Sequence, residues 1–112
     1  MTPIVSRSPL PTRLKNARRA KGISQKNLGI LAGIDEFSAS ARMNHYEKGK
    51  HFPDFETLER IAKILEVPVP YFYCNDDQMA ELLVRFERLS PEEKQKLMAF
   101  IEKLDGEASI EE

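Results

Sequence analysis

Residues 24–50 read SQKNLGILAGIDEFSASARMNHYEKGK, from Ser24 to Lys50. Ser24 is a side-chain acceptor suited to cap a helix, its hydroxyl within reach of the Asn27 backbone N–H. Leu28, Leu31 and Ala32 follow at helical spacing and should face inward. Gly33-Ile34 interrupts the run, Met43 and Tyr46 resume it, and Gly49 closes it. The stretch predicts a helix-turn-helix, two helices packed through one face with the other left free. Asp35-Glu36-Phe37 is expected to lengthen the turn, Ser38 to cap the second helix, and Gly49 to be its C-cap. Gly29 inside the first helix costs about 1 kcal/mol relative to alanine. Either close contact with the second helix or tolerated drift accounts for it.

Upstream, a helix is expected from about Pro11 to Lys21, with Leu10, Leu14 and Ala17 turned inward and Gly22 as its stop. Ile23 then plugs the core. Residues 1–9 hold two prolines and two serines without periodicity. They read as a disordered arm, with Arg7 either reaching toward phosphate or simply frayed. Downstream, Asp54 caps a helix whose Phe55, Leu58, Ile61, Ala62 and Leu65 keep the 3.6-residue period. Pro68-Val69-Pro70 opens a short helical turn in which Val69 and Phe72 complete the core of residues 10–74. Cys74 reads as a partly buried, inert thiol.

Two amphipathic helices should follow over residues 75–105. Asp76 or Asp77 caps the first, which carries Met79, Leu82, Leu83, Phe86 and Leu89. Ser90-Pro91-Glu92-Glu93 is a capping box that starts the second, which carries Leu97, Met98, Ile101 and Leu104. Gly106 is expected to end it, leaving residues 106–112 as a disordered acidic tail. The fold class is all-α.

The chain has 112 residues, 41% hydrophobic and 31% charged, which fits one soluble domain with a short appendage. A single cysteine cannot form an internal disulfide, so a reducing, cytoplasmic setting is expected. No signal-peptide core and no run of roughly 18 apolar residues suggest export or a membrane span. His45 and His51 lack a nucleophilic constellation, and neither a metal-ligand spacing nor a glycine-rich phosphate loop is present. An enzyme is therefore not expected, and no metal, cofactor or small-molecule ligand is indicated. The net charge of −1 hides an asymmetry: residues 1–53 carry +7 and residues 54–112 carry −8. The basic part coincides with the helix-turn-helix, which points to a polyanion as its partner.

Several separate motifs stand in one order: Leu14, Arg18, Lys21-Gly22-Ile23-Ser24-Gln25, Leu28, Ala32-Gly33-Ile34, Tyr46-Glu47-Lys48-Gly49-Lys50, and Pro53, Thr57-Leu58, Ile61-Ala62. From about Leu10 to Tyr73 the chain resembles the Cro/phage-repressor type of helix-turn-helix regulator, the xenobiotic-response-element (XRE) family. The resemblance implies a five-helix, lambda-repressor-like DNA-binding domain, extended here by the two C-terminal helices and usually dimeric on a palindromic operator. It also implies that Gln25 touches the DNA backbone while bracing base-reading residues. Arg18 and Glu47 would form an ion pair that orients the second helix. The chain departs from the family in holding about four extra residues between Ile34 and Glu47, placed at Asp35–Ser38, and in having Asn27 where glutamate is usual.

A recognition helix needs short or polar side chains that can approach base edges. Ser40, Ala41, Arg42, Asn44 and His45 meet this need, with Arg42 suited to guanine, Asn44 to adenine and Ala41 to a thymine methyl. Gln25, Lys26, Asn27, Lys48 and Lys50 are the candidate phosphate contacts. Leu82, Leu83, Phe86, Leu97, Ile101 and Leu104 supply a dimerisation surface or else pack within the chain. The expected function is a sequence-specific regulator of transcription, a repressor bound as a homodimer to double-stranded DNA. The alternative is a protein-interaction module, or an antitoxin or controller-type regulator working with a partner protein.

Overall fold

The structure, a computed structural model, describes the backbone of residues 8–111 and the side chains as far as Glu107. The expected arm, including Arg7, lies almost wholly outside the described residues. Among them every regular element is helical.

Helix α1 spans Leu10–Lys21, with Pro11 in its first turn. Gly22 stops it at φ +72, and the Ile23 N–H donates to the Arg18 carbonyl at 3.3 Å. A left-handed residue at this point lets the chain fold back over the last turn. Helix α2 spans Gln25–Leu31, and the Asn27 N–H donates to Ser24 Oγ at 3.0 Å. Gly33, at φ +90, makes the sharp turn that follows.

Helix α3 spans Glu36–Glu47 and differs from expectation at its start. Its cap is Asp35, whose carboxylate accepts from the Phe37 N–H at 3.1 Å, not Ser38. The extra residues do not lengthen the turn. They add one more helical turn, where hydrogen bonds satisfy backbone groups that a longer loop would leave to solvent. Ser38 instead donates its N–H to the Asp35 carbonyl. At the other end Lys48 is the C-cap, and Gly49 sits one residue beyond it at φ +73.

Helix α4 spans Phe55–Leu65, and Asp54 accepts from the Thr57 N–H at 2.8 Å. A five-residue 3-10 helix, Val69–Tyr73, takes the place of the expected fifth helix. Helix α5 spans Asp77–Glu87 behind the Asp76 cap. Helix α6 spans Pro91–Glu111 and opens on a reciprocal capping box. There the Glu93 N–H donates to Ser90 Oγ at 3.1 Å, and the Ser90 N–H donates to Glu93 Oε1 at 2.9 Å. Gly106 does not stop α6, which continues through it to Glu111, so residues 106–111 are helical rather than a loose tail. A glycine with no positive φ and no proline behind it only weakens a helix.

One core gathers Leu10, Leu14, Leu28, Met43, Leu58, Ile61 and Phe72, all fully buried. Two expected core residues are outside it. Leu31 is 63% exposed, because Leu28, Gly29 and Ala32 take the inward arc of α2 and Leu31 falls off its edge. Phe55 is 61% exposed: it is in phase with the core stripe but lies beyond the end of the core. Helix α5 is anchored through Ala80, buried, and Val84, packed against the core. Helix α6 buries no residue as far as Glu107 and does not fold back along α5 with comparable packing, so the expected hairpin is open. The radius of gyration, 17.4 Å, exceeds the roughly 13 Å of a compact domain of this size.

The joint between α2 and α3 is made by glycine. A Cβ on Gly29 would lie 2.8 Å from Ala39 Cβ and 3.0 Å from the Ala39 carbonyl oxygen. This selects close contact over drift as the reason for Gly29. Gly29→Ala should therefore destabilise the fold by about 1–3 kcal/mol, against the roughly 1 kcal/mol gain that helix propensity alone gives. Urea unfolding measures the sign.

Candidate nucleic-acid interface

The Gly29–Ala39 contact sets α3 against α2 so that Ala39, Met43 and Tyr46 are buried and the opposite face is free. On that face Ser40 and Ala41 are exposed and Asn44 and His45 are half-buried; Arg42 is exposed too, but on the flank of α3 beside Tyr46 and His51. Three of the five expected base readers are thus exposed, and of the other two Asn44 is held by a side-chain hydrogen bond.

A hydrogen-bonded chain does the holding. Glu47, only 3% exposed, accepts from Arg18 Nε at 2.6 Å and, through its other oxygen, from the second Arg18 guanidinium arm at 3.1 Å. Arg18 is 13% exposed and also donates to the Ile23 carbonyl at 3.0 Å. Gln25 Nε2 donates to the same Glu47 carboxylate at 3.1 Å and to Asn44 Oδ1 at 3.3 Å. One carboxylate therefore ties α1, α2 and α3 together. Its two-pronged bond to a planar guanidinium fixes direction as well as distance. With Asn44 Oδ1 accepting, its amide N–H groups are left to act as donors.

Around this centre Lys26 and Asn27 are exposed on the first turn of α2, and Lys48 and Lys50 are exposed beyond the end of α3. Exposed polar and cationic side chains of this kind are suited to phosphate contact. The turn at Gly49 brings the chain back so that the His51 ring lies 5.3 Å from the His45 ring. His51, Phe52, Arg42 and Tyr46 line a shallow cavity of about 310 Å³. Sequence reasoning placed His51 in a loop and gave it no part here; its nearness to His45 comes from the left-handed Gly49 turn. It also placed Phe37 in the turn, whereas Phe37 stands in the first turn of α3 and is 96% exposed.

The expected dimerisation residues are split. Leu82, Ile101 and Leu104 are exposed, joined by Met79, Met98 and Phe100. Leu83, Phe86 and Leu97 are half-buried, with the Lys94 ammonium 5.2 Å from the Phe86 ring centre. Among the described residues no cluster of three or more His, Cys, Asp or Glu is placed to share a metal ion, and no helix is long and apolar enough to cross a membrane.

No protein-family model matches the chain. It is 28% identical over 102 residues to YqaE of Bacillus subtilis (strain 168), described as an uncharacterized HTH-type transcriptional regulator, covering 88% of this chain and 78% of that protein. The crystal structure of the transcriptional regulator BswR superposes on it with a TM-score of 0.79 and 53% sequence identity, over 84% of this chain and 93% of that one.

Stranding one half of the Arg18–Glu47 pair should cost more than removing both. Glu47→Ala is expected to lower stability by about 3 kcal/mol, the lower end for a buried pair because Arg18 keeps some solvent contact. The double variant R18M/E47L should lose less than E47A, and a double-mutant cycle by urea unfolding reads the coupling.

Proposed function

Because the chain belongs with the transcriptional regulator BswR in one family, we propose that it is a helix-turn-helix regulator of the Cro/phage-repressor (XRE) type that represses transcription as a homodimer on a palindromic operator. The observation that carries this reading is the Glu47-centred network. It holds Asn44 on a helix whose Ser40, Ala41 and Arg42 are exposed and which exposed lysines follow.

In this reading α3 lies in the major groove. Arg42 donates two hydrogen bonds to a guanine edge, Asn44 reads adenine, and Ala41 meets a thymine methyl. Ser40 and His45 complete the base-facing set. Lys26, Asn27, Lys48, Lys50 and the exposed edge of Gln25 hold phosphates, which sets register and makes binding salt-dependent. One such helix makes few contacts, so tight binding needs two copies spaced about 34 Å apart. The apolar side chains of α5 and α6 support this, because nothing within the described chain covers Leu82, Ile101 and Leu104. The same exposed stripe favours the second reading, a controller or antitoxin whose α5–α6 surface takes a different protein.

Selection from a randomised duplex library, sequenced at two salt concentrations, should enrich a palindrome. The double variant R42A/N44A should relax the preference at the positions it reads, each worth roughly 1–3 kcal/mol. Enrichment of no sequence, with weak binding abolished by salt, would favour the partner-protein reading. Sedimentation of the free protein tests the dimer: wild type should run at twice the chain mass, and L82E/L104E at the chain mass, melting at a lower temperature because the stabilisation by association is lost. A monomeric wild type counts against homodimerisation.

A further inference from the structure

We propose that Phe37 is a base-reading residue, its ring seated against a thymine methyl group in the major groove and extending the reading face of α3 by one helical turn. The inference rests on the DNA-binding reading above.

Phe37 is the most exposed large apolar side chain among the described residues, at 96%. Its position is nevertheless fixed. Asp35 caps α3 and accepts from the Phe37 N–H at 3.1 Å, and Ala39, two residues on, is locked against Gly29 with no exposure. The helix phase from Ala39 onward therefore determines where the ring stands. Phe37, Ser40, Ala41, Asn44 and Lys48 are spaced at i, i+3, i+4, i+7 and i+11, which is one stripe of a helix. Phe37 lies about 10 Å beyond Asn44 along the axis at roughly 1.5 Å per residue, a length of about three base steps. It is at the N-terminal end of α3, the end that such helices present to base edges.

The chemistry narrows its contact. A phenyl ring offers phosphate neither a charge nor a hydrogen bond. The apolar group that the major groove offers is the thymine C5 methyl. The four-residue excess in the chain is what carries the ring to that place, so this position of the operator would be read by the added turn.

The ring touches nothing that holds the fold together, so F37A should melt with the wild type. In the library selection F37A should lose the preference for thymine at one position of each half-site, roughly a 5- to 10-fold effect for one apolar contact, with the slope of affinity against salt unchanged. F37L should retain part of it. Replacing that thymine by uracil, which lacks the methyl, should weaken wild-type binding by the same factor and leave F37A unaffected. The inference is overturned if F37A selects the wild-type sequence, or if uracil weakens both proteins equally. It is also overturned if F37A changes only the mass of the free protein, which would assign the ring to a protein contact. A wild type that selects no sequence overturns the DNA reading and this inference together; the other failures leave that reading standing.

Discussion

The carboxylate of Glu47 is withdrawn from water between three helices, and the rest of the molecule is arranged so that this is tolerable. An isolated buried charge is expensive, so Arg18 must meet it with two hydrogen bonds and Gln25 with a third. Those requirements are directional. They fix the rotation of α3 about its axis, and with it which residues face out. The apolar core supplies most of the burial but is less particular about angle, whereas the two-pronged ion pair is directional.

Gly29 and Ala39 complete the constraint at close range. The absence of a side chain at one and the smallness of the other let α2 and α3 approach until their surfaces meet. A short α2 of seven residues cannot hold a partner helix by area alone. It does so through this contact and through the caps at Ser24 and Asp35, which end the turn cleanly on both sides. The interface proposed for DNA is thus built on closely packed helices, as base reading demands, since a displaced side chain forfeits its hydrogen bonds.

The C-terminal helices follow a different logic. Helix α5 is tied to the domain by Ala80, by Val84 and by the Arg13–Asp77 ion pair at 2.9 Å. Helix α6 has a well-made start at Ser90–Glu93 but no partner for its apolar side chains among the described residues. A helix with so much uncovered apolar surface is stabilised by whatever covers it. Any partner that covers α6 would therefore also stabilise it, and the compact core stands between that surface and helices α2 and α3.

Local chemistry was legible in the order of residues. The caps at Ser24, Asp54 and Ser90, the left-handed stops at Gly22 and Gly49 and the core stripe of α4 follow from motifs whose partners lie close by or whose spacing is characteristic; the cap of α5 was narrowed to Asp76 or Asp77, and the Arg18–Glu47 pairing came only from the resemblance to a known family. What the chain order left open depended on packing. Asp35 prevailed over Ser38 as a cap because an extra turn of α3 could be supported by Ala39 against Gly29, a contact between different helices. Leu31 and Phe55 have the right residue type and helical spacing but lie outside the arc or the length of the core. The His45–His51 approach needs the three-dimensional course of the Gly49 turn. Gly106 could pass as a stop or as an interior glycine, and no side chain packs there to force either. The sequence by itself determined where most of the helices lie and how most of them are capped, since these are short-range and set by residue identity. The tertiary structure alone decided which faces are buried, how far α3 extends and which apolar stripe is left open, since burial depends on what the rest of the chain brings alongside.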